Sequence, residues 1–228
     1  MEVEKVGSCV VIHMKLGENR LNPAFISAFH DALDEAEAYE DATSLVTMGE
    51  GKFYSLGLDL TALGALSAME MQQFAYDLQK LLLRLLTFPL VTVAAINGHV
   101  YAAGVFIALA HDHKVMRSER GWWCLNEIHI RRNFTVGVLE MAKALLPQSE
   151  LRYSVVLGRR YTGEEARAAG IVDEVCPLAQ LKSVAMAAAV RLAGKDGLDR
   201  KTLSAIKHDL YRDVVRVLSE PTRTYSLL

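Results

Sequence analysis

The chain has 228 residues, half of them hydrophobic, and a formal net charge of −2. That suits a globular protein with a full core, in one large domain or two small ones. The near-neutral charge gives no basic field for nucleic acid, and no apolar run is uninterrupted enough to span a bilayer.

The N-terminus, MEVEKVGSCVVIHMKL, is acidic at its start and runs directly into a strand pattern over Cys9 to Leu16. It reads as neither a secretory signal nor an Arg-rich transit peptide. Gly17 to Pro23 is a turn, and Asn22-Pro23 opens a helix in which Phe25, Ile26, Phe29, Leu33 and Ala36 recur at helical spacing. Ser44 to Met48 is a short strand, and Gly49 to Asp59 (GEGKFYSLGLD) a glycine-rich loop. Ser67 to Leu86 is a long helix, ended before Phe88-Pro89. Leu90 to Ile96 reads as a buried strand, broken by Asn97-Gly98. Small residues, Ala102, Ala103 and Gly104, then open an apolar helix that continues to about Ala110.

His113 to Met116 is a further strand, and Gly121 to Ile130 (GWWCLNEIHI) contains an extended stretch. Helices follow over Phe134 to Leu145 and from Pro147 to Gly158. Thr162, with Glu165 three residues on, makes a capping-box pattern. Ile171 to Val175 is the last strand. Pro177 onward is helical, with a break at Gly194 to Gly197 and a final amphipathic helix over Arg200 to Leu218. Strands alternating with helices indicate an α/β fold with much parallel pairing. Residues 1–176 form the core in this reading, and 177–228 a helical region with no sheet of its own to pack on. Leu203, Ile206, Leu210, Val214 and Val217 give that region an apolar stripe needing a partner, within the chain or on another subunit; Lys207 lies off the stripe.

Three places can carry chemistry. The strand–turn–helix over Asn97 to Asp112 offers unpaired amides and a helix dipole for an anion or developing oxyanion; close helix–strand packing explains its small residues equally well. Gly57 lets its loop turn an amide into a cleft, or belongs to a plain loop. Glu127 is an acid in an apolar, aromatic run. Buried, its pKa rises and it becomes a base near neutral pH; on an edge strand it merely faces water. The seven histidines lack metal-ligand spacing, and His111 and His113 read as surface or packing residues. Cys9, Cys124 and Cys176 are far apart and odd in number, which argues against a disulfide framework and for a reducing compartment.

Five segments together resemble the crotonase, or enoyl-CoA hydratase/isomerase, superfamily over nearly its whole core. They are the Asn22-Pro23 helix opening, KFYSLGLDL, FPLVTVAAINGHVYAAG, HDHKVM and YTGEEARAAGIVDEV. LNEIHI is most similar to the Δ3,Δ2-enoyl-CoA isomerases, the plant peroxisomal kind in particular. The resemblance implies a spiral of ββα units with a C-terminal helical oligomerisation region, and a homotrimer or homohexamer. It implies an acyl-CoA thioester substrate and no separate cofactor, coenzyme A being part of the substrate.

Carried over by position, Leu56 and Ala103 supply the backbone N–H pair of an oxyanion hole, with Gly57 and Gly104 beside them. Glu127 matches one of the two glutamates of hydratases; Phe106 stands where the other would be. A double-bond shift needs one base, so isomerisation is expected over hydration. Lys52 is expected to meet the CoA phosphates. Two departures stand out: Arg131 takes the place of a common glycine after the acid, and Arg131 to Val136 replaces a proline-rich turn. The last three residues, Ser226-Leu227-Leu228, resemble a peroxisomal address without its basic middle residue, so a peroxisomal location is expected, with a cytosolic one the alternative.

Overall fold

The computed structural model describes residues 1–221. A six-stranded sheet carries β1 (Glu2–Val6), β2 (Cys9–Met14), β3 (Ser44–Gly49), β5 (Val91–Ile96), β7 (His113–Arg117) and β9 (Glu174–Cys176) side by side in that order. Only β1 pairs antiparallel. A second sheet of three short parallel strands joins β4 (Phe53–Ser55), β6 (His99–Tyr101) and β8 (Trp123–Cys124).

The two sheets share one chain path. β3 passes into β4 and then into α2 (Leu60–Leu63) and α3 (Ala68–Leu86); β5 passes into β6 and α4 (Ala103–Leu109). β7 passes into β8, whose continuation is a 3-10 turn over Glu127–Ile130 and then α5 (Val136–Leu145). This is the repeated ββα unit the resemblance implied. Asn97 makes one sheet-to-sheet crossing rigid, donating from Nδ2 to the carbonyls of Gly51 (3.3 Å) and Phe53 (3.2 Å). A Cβ on Gly98 would lie 2.1 Å from the Lys52 carbonyl oxygen, so glycine is required there for close approach.

Both faces of the large sheet are buried, which is why its strands read as apolar runs. Val10, Ile12, Met14, Ala94 and Ile96 face the main core with α1 (Pro23–Ala38) and α3. Cys9, Val11, Val46, Val93, Ala95 and Val115 face the other way, against Leu181, Ala185 and Ala189 of α8 (Leu178–Ala193). The expectation that the chain after Pro177 has no sheet to pack on is therefore corrected: α8 covers the second face. The remaining helices are α6 (Gln148–Val155), α7 (Gly163–Ala168), α9 (Arg200–Leu210) and α10 (Arg212–Ser219).

Local signals hold where a cap decides the matter. Asn22 Oδ1 accepts from the Phe25 amide at 2.9 Å, and Ser67–Glu70 and Thr162–Glu165 form capping boxes. Boundaries differ in several places. β1 was missed because its residues are mostly polar and only half-buried at an edge. The glycine-rich loop contains β4, held by pairing to β6. The last strand starts three residues later than expected and ends one later, because Ile171 and Val172 bury in the turn ahead of it. The helix expected over 200–218 is two helices meeting at Tyr211.

The orientation of α9 is also reversed. Its inward stripe is polar: Arg200 donates to the carbonyls of Tyr39 and Ala42, Ser204 Oγ to Thr87 (2.9 Å), and Lys207 Nζ to Phe88 (3.1 Å) and Leu90 (3.0 Å). These carbonyls follow the ends of α1 and α3, where cations are favoured. Lys207 also reaches Asp112 Oδ2 at 2.6 Å, so all three of its protons are bonded. Ile206 (58 % exposed) and Leu210 (69 %) consequently point outward, while Val214 and Leu218 of α10 bury against the core.

Candidate active site

The three parallel strands of the small sheet end together. β4 leads to Leu56-Gly57-Leu58, β6 to Ala102-Ala103, and β8 to Asn126-Glu127. The Ala102 amide donates to the Cys124 carbonyl at 3.0 Å, tying the start of α4 to the end of β8. Gly57 has φ +77, and a Cβ on it would lie 3.0 Å from the Ala103 nitrogen. A Cβ on Gly104 would lie 2.6 Å from Ser55 Oγ. These glycines let the end of β4 lie directly on the first turn of α4. Gly57, Ala103 and Gly104 are thus brought together as expected.

Leu56 is not available for the role expected of it. Its N–H donates to the Glu18 carbonyl at 3.1 Å, and the Gly57 N–H to Ser55 Oγ at 3.2 Å. The next amide, that of Leu58, has no partner among the described residues, although its neighbours are committed: Leu21 donates to Gly57 O (2.8 Å) and Asp59 to Leu21 O (3.0 Å). The free donor on this loop is therefore Leu58. Ala103, at the first position of α4, likewise leaves its N–H without a partner among the described residues, as a helix start does. Two free amides beside each other can hold one anionic oxygen.

Ala102 has φ +49 and ψ −127, a conformation that glycine adopts easily and alanine does not. It is held by the Cys124 bond before it and by the Val105 amide on its own carbonyl (2.9 Å) after it. Strain is thus stored where the donor amide is aimed.

Glu127 does not lie on an edge strand. It opens the 3-10 turn and is 8 % exposed. Its Oε2 is buried without a hydrogen-bond partner among the described residues. Burial raises its pKa to about 7, against a weaker lowering by its own backbone amide. Such a carboxyl can take and return a proton near neutral pH. Arg131 closes the turn in the left-handed region (φ +54, ψ 43), which explains why a glycine suits that position. Phe106, one turn into α4 from Ala103, is buried and meets the Phe134 ring edge-on at 6.1 Å.

Lys52 lies at the other end of β4 from these residues. It precedes β4, whose far end carries Leu56, so about 13 Å of extended backbone separates them. A cleft of about 610 Å³ lies elsewhere, lined by Arg84, Phe88, Arg200 and His208 and by none of the site residues. His111 is a packing residue: Nδ1 bonds the Ile107 carbonyl (2.8 Å) and Nε2 the Thr47 hydroxyl (2.9 Å), which also bonds Tyr54 (2.8 Å). Burial lowers its pKa to about 4, so the ring is neutral.

The model of a family described as enoyl-CoA hydratase/isomerase matches residues 4–223. The chain is 30% identical over 222 residues to the peroxisomal enoyl-CoA delta isomerase 2 of Arabidopsis thaliana, covering 92% of this chain and 91% of that one. Among solved structures, an enoyl-CoA isomerase of Mycobacterium tuberculosis superposes with a TM-score of 0.85 at 30% identity, over 95% of this chain and 93% of that one. The human mitochondrial Δ3,Δ2-enoyl-CoA isomerase shares the fold, with a TM-score of 0.85 at 24% identity, over 94% and 84%. On the family model, these relatives and the shared fold, the chain belongs to the enoyl-CoA hydratase/isomerase family.

Proposed function

We propose that this chain isomerises 3-enoyl-CoA to trans-2-enoyl-CoA, a step that unsaturated fatty-acid breakdown requires. The observation that carries the reading is Glu127: one buried carboxyl whose Oε2 has no partner among the described residues, with apolar Phe106 at the position of a second acid. As carboxylate, Glu127 removes a proton from C2, and the electron pair moves into a dienolate. Its negative oxygen is held by the amides of Leu58 and Ala103, which favour it over the neutral thioester. Glu127, now protonated, returns the proton to C4, and the double bond rests between C2 and C3. No water is added and no electron leaves, so one group serves as base and then as acid. Hydration would need a second group to hold and activate water, and the Phe106 and Phe134 rings offer none.

The experiment is turnover of 3-hexenoyl-CoA followed by mass analysis. A product of unchanged mass and shifted absorbance supports isomerisation. A product heavier by one water makes the chain a hydratase, and free coenzyme A makes it a thioester hydrolase. Tight binding without turnover makes it a silent acyl-CoA-binding protein.

The same proposal includes self-association into a trimer or hexamer. The outward Ile206 and Leu210 of α9 support it, because apolar side chains so placed find cover between subunits. Light scattering at micromolar concentration tests it, and a monomer refutes it. A peroxisomal location is supported by the name of the Arabidopsis relative. The tail expected to act as its address, Ser226-Leu227-Leu228, lies outside the described residues. Imaging of the chain with and without those three residues tests the location.

A further inference from the structure

The chain has five asparagines, and four use their carboxamides within the protein. Asn19 accepts from the Leu16 amide and donates to Tyr54 O, both at 3.0 Å. Asn22 caps α1, Asn97 ties the two sheets, and Asn133 accepts from the Phe134 amide at 3.0 Å. The Asn126 carboxamide makes no hydrogen bond among the described residues, although its Oδ1 is fully buried.

Its position makes this unusual. Asn126 precedes the 3-10 turn, where an asparagine side chain ordinarily caps a free amide. Here it makes no capping bond. The amides of His129 (2.9 Å) and Ile130 (3.3 Å) go to its backbone carbonyl instead. The backbone is fixed on the other side too, since Cys124, two residues earlier, accepts from Ala102. A half-buried amide next to Glu127, its oxygen buried and without a partner among the described residues, destabilises the free protein, and a ligand that supplies the partner relieves it.

We propose that Asn126 is a further substrate-binding residue, its half-buried carboxamide, with Oδ1 buried and unpartnered among the described residues, hydrogen-bonding the polar head of the acyl-CoA beside Glu127. The inference rests on the function proposed above. An enoyl tail offers only C–H groups. The partner therefore comes from the thioester or from the adjoining amide of the pantetheine arm. A carboxamide carries both a donor and an acceptor, so either is met by turning its plane.

The test compares wild type with Asn126→Leu and Asn126→Ser, using octanoyl-CoA, a saturated thioester that cannot be isomerised. Calorimetric affinity, Tm, and KM and kcat for 3-hexenoyl-CoA are read. Asn126→Leu is expected to bind octanoyl-CoA about tenfold more weakly, the worth of one or two hydrogen bonds. Its Tm stays equal or rises, because an unsatisfied polar group is gone. KM rises with affinity lost, the pH dependence of kcat is unchanged, and Asn126→Ser recovers part of the binding. Unchanged affinity in Asn126→Leu overturns the inference alone, provided wild type binds and turns over. A fall in Tm or failure to fold also overturns it, because it marks a structural role. A shifted pH profile with intact affinity overturns it in favour of a partner for Glu127. Absence of octanoyl-CoA binding by wild type overturns the proposed function and this inference together.

Discussion

Replacing Glu127 by glutamine should stabilise the protein at alkaline pH and not at acid pH. Burial raises the carboxyl from 4.5 to about 7, a difference of about 2.5 units. At about 1.4 kcal/mol per unit, the ionised form is disfavoured in the folded state by about 3 kcal/mol. The sign follows from the direction. Below the unfolded value of 4.5, both states hold the proton and the group has no effect. Between 4.5 and about 7 the unfolded chain releases it and the folded one keeps it, so stability falls as pH rises. Above about 7 the whole penalty is present. The amide of Glu127→Gln cannot ionise and escapes this penalty. Urea unfolding at pH 4.5 and pH 8 measures the difference. The variant should exceed wild type by about 3 kcal/mol at pH 8 and by little at pH 4.5. Equal stability at both values, or a variant weaker at pH 8, would refute the claim that burial holds this carboxyl's pKa up.

Three further outcomes follow from the same geometry. Ala102→Gly should raise stability by about 1 kcal/mol with turnover retained, because glycine adopts φ +49 and ψ −127 without strain; a loss of stability in thermal unfolding contradicts the strained conformation. Lys207→Met should lower stability by about 3 kcal/mol, as it leaves Asp112 and the Phe88 and Leu90 carbonyls without their cation, and a loss under about 1 kcal/mol in denaturant unfolding contradicts the polar docking of α9. The free enzyme's kcat/KM should rise with pH through about 7 and then level, since Glu127 must be ionised to take the C2 proton; a limb near 4.5 contradicts the raised pKa.

Signals that act over a few residues were legible in the sequence. Asn22 and the Thr162–Glu165 pair cap helices, and the apolar run from Leu90 to Ile96 is a strand buried on both faces. Glu127 was legible as a candidate because an acid in an apolar run is costly unless used, but its burial was not. A strand and a 3-10 turn expose such a residue differently, and Trp122 to Ile130 is too short to separate them. Which amide of the first loop is free was illegible, since it depends on Glu18 taking the Leu56 N–H. A useful signal was Gly57 itself, whose positive φ redirects the amide that follows it. The facing of α9 was illegible for a different reason. Apolar periodicity assigns Ile206 and Leu210 to the inside, but free helix-end carbonyls draw in Arg200, Ser204 and Lys207 instead. Asn126 was in view as part of LNEIHI, and only its missing cap bond distinguishes it.

Turnover of 3-hexenoyl-CoA by Glu127→Gln, with octanoyl-CoA affinity measured on the same sample, tests the proton shuttle most directly. The amide keeps the shape of the side chain and cannot take or return a proton. The mechanism predicts a rate about 10²- to 10⁴-fold below wild type at pH 8, with affinity unchanged. A variant that binds equally well and turns over within about tenfold of wild type would contradict Glu127 as the base.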